Sequence, residues 1–412
     1  MRCQNDPVPS GRTTALIAGG GPAGVMLGLL LARAGVDVTV MEKHADFLRD
    51  FRGDTVHAST LRLLDELGLA DEFARIPHRE IETLRMSVQG SVLEMDLRRI
   101  PGPHKHIALV PQWDFLELLA SSAQREPTFT LLRSTEVLGP LLDGDTVVGV
   151  RYRGGNGQIG EMRATLTVAC DGRSSTLRTA MGLKPRDFGV PMDVWWFRVP
   201  REDGDPAGLA GQIGAGHVLA AIDRGDYFQC AYVIPKGRDA ELRAAGISAL
   251  HRGAAALAPW LADRVATVTS FDDVKLLDVQ LNRLRRWYTP GLLLIGDAAH
   301  AMSPVGGVGI NLAVADAVAA GRLLAGPLRA GTLSTRHLAR LQLRRLVPTM
   351  LVQAVQRMIH RRVIEVAVTS PGEASAPPLI RLAGRIPALR RVAAYGVAIG
   401  PLPEHIPAFA RR

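Results

Sequence analysis

Cysteine is almost absent from this chain, and the few cysteines present cannot act together. Cys3, Cys170 and Cys230 are odd in number and far apart, with no CxxC pair and no Cys/His cluster at metal-ligand spacing. That excludes a disulfide framework and a zinc ribbon, and it fits a reduced, cytoplasmic setting with no metal site. Aromatic residues are few, 5% of the chain, so the stacking platform that single-stranded nucleic acid needs is lacking. An unbroken apolar run of membrane length is missing too. Residues 13–32 carry no charged side chain, but Gly19, Gly20, Gly21 and Pro22 split them into a short strand and a helix, each below the ~20 residues of a span.

What is present is the composition of a folded protein, 47% hydrophobic and 22% charged over 412 residues. That length exceeds the ~100–200 residues usual for one domain, so two joined domains and a tail are expected. The formal charge of +9 is not spread over a binding face: from Arg322 onward there are fifteen arginines, no lysine and three glutamates. Arg336, Arg340 and Arg344 recur at helical spacing without interleaved aromatics, which argues against a nucleic-acid partner. Two readings of this basic segment stay open: a solvated helix face, or a peripheral surface that meets anionic lipid or an acidic partner.

Hydrophobic period places a buried strand at residues 14–18, a buried helix at 23–34 and a second strand at 36–41. Helical pattern returns at 59–67 and 113–125, a hairpin around Asp143-Gly144 joins runs at 135–142 and 146–152, and a strand at 164–169 delivers Cys170-Asp171-Gly172. Short β-type runs then dominate to about residue 273, after which Leu292 to Ile295 resume the buried parallel pattern. The expected fold class is α/β (α+β overall), a Rossmann-like domain with an inserted β-sheet domain and a helical C-terminal segment. The boundaries are 1–82, 106–182 and 275–345 for the nucleotide domain, 83–105 and 183–274 for the inserted sheet, and 346–412 for the tail, with a kink at Pro348.

Gly19, Gly21 and Gly24 make a GxGxxG spacing between the first strand and its helix, with Pro22 and Ala23 opening that helix. The first glycine makes the turn, the second admits a pyrophosphate and the third lets helix and strand pack, while the helix N-terminus offers N–H groups to phosphate. Glu42 ends the second strand where a carboxylate accepts from an adenosine ribose, and Lys43 follows it. This establishes a dinucleotide and leaves FAD and NAD both open.

Cys170-Asp171-Gly172-Arg173-Ser174-Ser175, and Gly296-Asp297-Ala298-Ala299-His300 with Pro304-Val305-Gly306-Gly307-Val308-Gly309-Ile310-Asn311, closely resemble the DG and GD motifs of the flavoprotein aromatic hydroxylases, the family of para-hydroxybenzoate hydroxylase. The resemblance spans residues 14 to about 345. It implies tightly bound FAD, with Asp297 meeting its ribityl or ribose side, Pro304 beside the isoalloxazine, and the backbone around Gly307, Gly309, Ile310 and Asn311 facing the pyrimidine edge. A helix beginning near Asn311 sets its positive end against the anionic reduced ring. Arg52 and Gln112 match family residues that touch FAD, and Val137 is placed with them. Asp171 has two readings, support of the fold and the cofactor route, or chemistry. His57 and His300 read as scaffold residues, because no paired-carboxylate, Ser/His/Asp or metal constellation accompanies them.

The resemblance further implies a single-component monooxygenase: NAD(P)H reduces the flavin, O₂ adds to form a flavin hydroperoxide, and one oxygen passes to an aromatic, phenolic or polycyclic small molecule. No catalytic side chain is required. Trp195, Trp196 and Arg198 lie on one strand of the inserted sheet, and Trp196 and Arg198, on one face, are the substrate-pocket candidates, with core packing as the other reading. Monomer and homodimer both stay open. The rival functions are a flavin-dependent reductase or dehydrogenase of an unsaturated lipid or quinone-like substrate, and a non-catalytic flavoprotein that binds hydrophobic aromatics.

Overall fold

The structure, a computed structural model, describes residues 11–48, 55–88, 91–206, 208–214, 216–369 and 386–412. The buried apolar runs form a sheet whose parallel strands lie in the order Leu292–Leu294, Ile159–Ala169, Gly11–Ala18, Val38–Met41 and Phe129–Leu132. Ala18 is in register with both Ala169 and Met41, and Ala169 with Leu294. The strands therefore end along one line, where an open α/β sheet places its ligand crevice. Glu136–Asp143 and Thr146–Arg153 extend the sheet as an antiparallel hairpin beside the first half of Ile159–Ala169. The α/β class and the Rossmann-like arrangement expected from the hydrophobic pattern are what the chain adopts.

A second sheet has the order Lys275–Leu277, Met192–Pro200, Tyr227–Pro235, His217–Asp223, Leu209–Gly214, Thr83–Val88 and Ser91–Asp96. Alternation along Met192–Pro200 sends Trp195, Phe197 and Val199 into one core with Leu250 and Ala254 of the helix Ile247–Leu257. Trp196 leaves on the opposite face, toward the first domain.

Two helices fill the space against the parallel sheet. Pro22–Arg33 packs its Leu27 and Leu30 in one core with Ala317, Val318 and Ala320 of Gly309–Arg329. The run Val305–Arg329 is long and apolar enough to cross a membrane, but its apolar side chains are spent in this core.

The helix Thr335–Ile359 departs from the expectation. It carries the helical pattern expected of the C-terminal segment and contains Pro348, but it buries a different face from the one expected. The reason is an inverted pattern. Arg345, Thr349, Gln353 and Gln356, at most 2% exposed, form its buried stripe, while Leu343 at 70%, Val347 at 50%, Leu351 at 50% and Val355 at 51% face outward. A reading that assigns apolar residues to the inside finds the helix but turns it the wrong way round.

Candidate functional site

At the first turn the strand, loop and helix leave no room for side chains. Gly19 has φ +104, and a Cβ there meets the Cys170 carbonyl oxygen at 2.4 Å; one on Gly24 meets the Gly19 carbonyl oxygen at 2.0 Å. A Cβ on Gly21 meets nothing within 4 Å, so open space lies at the mouth of the helix Pro22–Arg33. Gly21 caps that helix without a side-chain hydrogen bond, Pro22 is its first residue, and Ala23 is buried. Glu42 is buried at the end of Val38–Met41, where its Oε2 accepts from the Gly20 N–H at 2.9 Å and its Oε1 from the His44 N–H at 3.0 Å. Lys43 beside it is exposed, and Val137 is buried in the core that holds Met41. Gln112 is half-buried and opens the helix Gln112–Gln124. Arg52 lies outside the described residues.

The DG and GD segments meet beside this turn. A Cβ on Gly296 lies 3.3 Å from the Ala313 Cβ and 3.4 Å from the Ala23 Cβ, so the GD turn is wedged between the first turns of both core helices. Arg173 joins the two motifs through its Nε, 3.1 Å from the Asp297 Oδ2. Arg178, on the short helix Thr176–Ala180, donates to the Ala298 carbonyl at 3.0 Å and to the Arg173 carbonyl. The Asp171 Oδ2 accepts from the Leu177 N–H at 3.2 Å, while its Oδ1 is buried with no partner. Burial pushes the Asp171 carboxyl up, against hydrogen bonds from Ser175 and Leu177 that act the other way. The neighbouring Cys170 thiol is driven well above its ordinary value by burial and then by Asp171 and Asp316, so it is inert.

Beneath the GD turn lies a buried charge network that the sequence reading missed. Asp316 is fully enclosed in the helix Gly309–Arg329; its Oδ2 accepts from the Gly296 N–H at 3.1 Å and meets the His300 Nε2 at 2.6 Å. Its Oδ1 takes the Arg345 Nε at 2.9 Å. Arg345 in turn lies 3.5 Å from Glu404, which Arg344 grips with two bonds of 2.8 Å. Burial by itself raises the Asp316 carboxyl, but His300 and Arg345 outweigh it and hold it below the usual carboxylate range. The available signal was one aspartate within the otherwise apolar run 312–321 of that helix.

Pro304, Gly307 and Gly309 are half-buried in the turn before that helix, and Ile310 is buried. Gly307 has φ +63, and a Cβ there meets the Thr55 Oγ1 at 2.5 Å. The Asn311 side chain stitches the turn to the opposite wall: its Oδ1 accepts from the His57 N–H at 3.0 Å and the Thr60 hydroxyl at 2.7 Å. The backbone N–H groups of Gly309, Ile310 and Asn311 open a helix with no side-chain cap. From below, Gln356 receives the Ser303 N–H at 3.2 Å and donates to the Ser303 and Val305 carbonyls at 2.9 Å, while His360 meets the Ser303 hydroxyl at 2.8 Å. His57 is enclosed with its Nδ1 2.6 Å from the Val397 carbonyl, and burial lowers it to about 4. Both His57 and His300 are thus held inside the scaffold.

Facing this turn, Trp196 and Val305 pack in one apolar cluster, and the Trp196 indole N–H is buried without an acceptor. Arg198 is exposed, its guanidinium 4.9 Å from the Tyr227 ring centroid. Among the described residues no group of three or more His, Cys, Asp or Glu side chains is placed to hold a metal. The residues present fit FAD: two uncapped helix starts, open space at Gly21, a buried carboxylate at the second strand end and an orphaned Asp171 oxygen lie along one crevice.

A family model described as an FAD binding domain matches residues 12–355. The chain is 36% identical over 321 residues to 6-methylpretetramide 4-monooxygenase of Streptomyces rimosus, covering 76% of this chain and 75% of that protein. It is 27% identical over 318 residues to dialkyldecalin synthase of Streptomyces rugosporus, covering 75% of this chain and 64% of that one. Among solved structures, OxyS anhydrotetracycline hydroxylase from Streptomyces rimosus matches with a TM-score of 0.74 at 24% identity, over 97% of this chain and 79% of its own.

Proposed function

The chain belongs to the FAD binding domain family and is an FAD-dependent monooxygenase, and on that premise we propose that it hydroxylates a flat polycyclic aromatic molecule with electrons from NAD(P)H and oxygen from O₂. The observation that carries the substrate class is the shared cluster of Trp196 and Val305, which sets one indole of the second sheet, among aliphatic side chains, near the turn assigned to the flavin ring. A relative named for acting on 6-methylpretetramide supports the same class.

FAD supplies the oxygen-activating chemistry, and the side chains bind, orient and keep the site dry. Glu42 would take the adenosine ribose, the N–H groups at Gly21 to Gly24 the pyrophosphate, and Asp297 the ribityl chain, with Arg173 and Arg178 fixing Asp297. The uncapped start of the helix Gly309–Arg329 would set positive potential at the pyrimidine edge and favour the reduced, anionic cofactor. The inner face of the second sheet would cover the ring, and Trp196 would offer its unpaired N–H to a substrate oxygen.

The test is a panel of phenolic and polycyclic compounds, scored for stimulated NAD(P)H oxidation and for product mass. A product heavier by one oxygen atom is expected from a polycyclic member. Binding without stimulated oxidation overturns the reading. The synthase relative favours a second reading, ring formation in the same pocket, and a rearranged product of unchanged mass is its signature.

A further inference from the structure

Three guanidinium groups gather around one ring away from the crevice. The carbons of Arg186, Arg283 and Arg357 lie 5.4, 5.2 and 5.0 Å from the centroid of Phe188. Arg186 and Arg283 are direct partners in the antiparallel pair formed by Arg186–Asp187 and Asn282–Arg283, an arrangement of like charges that destabilises a ladder. Arg357 arrives from the helix Thr335–Ile359.

Among the described residues none of the three has a carboxylate within ion-pair distance. Asp187 turns its side chain to the Gly189 N–H at 2.9 Å, and the Arg283 Nη1 has only the neutral Gln353 Oε1 at 2.6 Å. The Arg357 Nε is buried with no acceptor. Burial, followed by Arg186 and Arg357, lowers the Arg283 pKa, with no acidic group opposing. A protein that only needed to pack Phe188 has no use for three cations there; an incoming anion with several negative charges neutralises them together.

The cluster also lies close to the flavin turn. Phe188 packs with Leu281 and Met302, and Asn282 exchanges hydrogen bonds with the Ala301 backbone at 3.2 and 3.3 Å. Ala301 and Met302 lead directly into Pro304.

We propose that Arg186, Arg283 and Arg357 form the phosphate site of the reducing nicotinamide dinucleotide and favour the form that carries a 2′-phosphate. Arginine suits that phosphate because its planar fork binds two oxygens at once and keeps its charge. The proposal rests on the monooxygenase reading for the identity of the ligand, but the anion site itself does not.

The test uses the FAD-loaded enzyme and two readouts. Calorimetry with 2′,5′-ADP measures the site without turnover; steady-state rates with NADPH and NADH measure it in turnover. Arg186→Gln and Arg357→Gln are each expected to weaken 2′,5′-ADP by on the order of tenfold and to raise the NADPH KM by a similar factor. FAD content and the KM for the aromatic substrate stay unchanged, the NADPH preference over NADH shrinks, and 2′,5′-ADP affinity in the unaltered enzyme falls steeply with salt. Arg186 is exposed, so its substitution leaves the fold intact, and Arg357→Lys is expected to recover part of the lost affinity. Unaltered 2′,5′-ADP affinity in both Gln variants overturns the site even if turnover is normal. Loss of 2′,5′-ADP binding in an enzyme that oxidises neither nucleotide retains the anion site and overturns the redox reading instead. Inorganic pyrophosphate binding as tightly as 2′,5′-ADP overturns the 2′-phosphate assignment.

Discussion

The two ends of the crevice are built by opposite strategies. At the end proposed for the adenosine, Gly19, Gly24 and Glu42 belong to one strand–helix–strand unit, and close backbone contacts with the Glu42 carboxylate hold the turn. At the ring end, the turn from Ser303 to Asn311 is held by side chains from Thr55, Thr60, Gln356 and His360, far away in the chain. Local construction tolerates no added atom but is insensitive to remote change. Remote construction is the reverse, since its polar groups must all arrive together.

The largest effect tests whether the two ends are truly separate, because Asp316 holds the GD turn through the Gly296 N–H, and that turn packs against Ala23 of the first helix. Asp316→Ala strands Arg345 in the core, and unfolding by urea is expected to show a loss of about 3–5 kcal/mol with little FAD retained. A variant with the stability of the parent shows that Asp316 does not bear this role. Gly24→Ala forces a methyl group onto the Gly19 carbonyl, 2.0 Å away, and about 3 kcal/mol of destabilisation is expected in the same assay. A fully stable, yellow Gly24→Ala protein contradicts the packing argument.

Acid singles out the ring end. His57 titrates at about 4 when folded against an ordinary 6.5, so unfolding takes up a proton between these values. Its contribution is complete above pH 6.5 and is lost as pH falls toward 4, a change of about 3 kcal/mol. Thermal melts across that window are expected to decline in the parent and less steeply in His57→Gln, where His360, likewise lowered to about 4 by burial, still contributes; parallel profiles refute this. Gln356→Leu leaves the Ser303 and Val305 groups unsatisfied, and a loss of about 1–3 kcal/mol is expected. Its signature is more NAD(P)H oxidised per product formed, with the adenosine end intact, whereas unchanged coupling separates Gln356 from the ring. The smallest effect is Glu42→Ala, with FAD affinity down roughly tenfold, read by fluorescence titration, and about 1 kcal/mol of stability lost with the Gly20 N–H left unpaired. Equal FAD affinity removes Glu42 from the cofactor site.

The same contrast explains what the sequence revealed. The turn at Gly19 to Gly24 was legible because its geometry depends on residue type at short spacing, and Asp171 and Asp297 because whole motifs surround them. Asp316 with Arg345, and Gln356 with Ser303, were not. They are side-chain partnerships across 29 and 53 positions, and no local pattern encodes the partner. The helix Thr335–Ile359 was harder still, because its polar residues face inward. Arg178 was hidden for a simpler reason: an arginine on a short helix after a loop ordinarily points to solvent.

The chain leaves the ribosome from one end, and that order acts on the Asp316 network. His300 and Asp316 emerge in the last third of the chain, Arg345 follows 29 residues after Asp316, and Glu404 comes 60 residues after its partner Arg344. Until the last of these appears, the turn that presents Asp297 stands on an incomplete set of charges. The glycine turn at the adenosine end is by then long finished. The glycine turn is therefore complete within its own strand, helix and strand, whereas the support beneath the GD turn closes only when Glu404 joins Arg344 and Arg345.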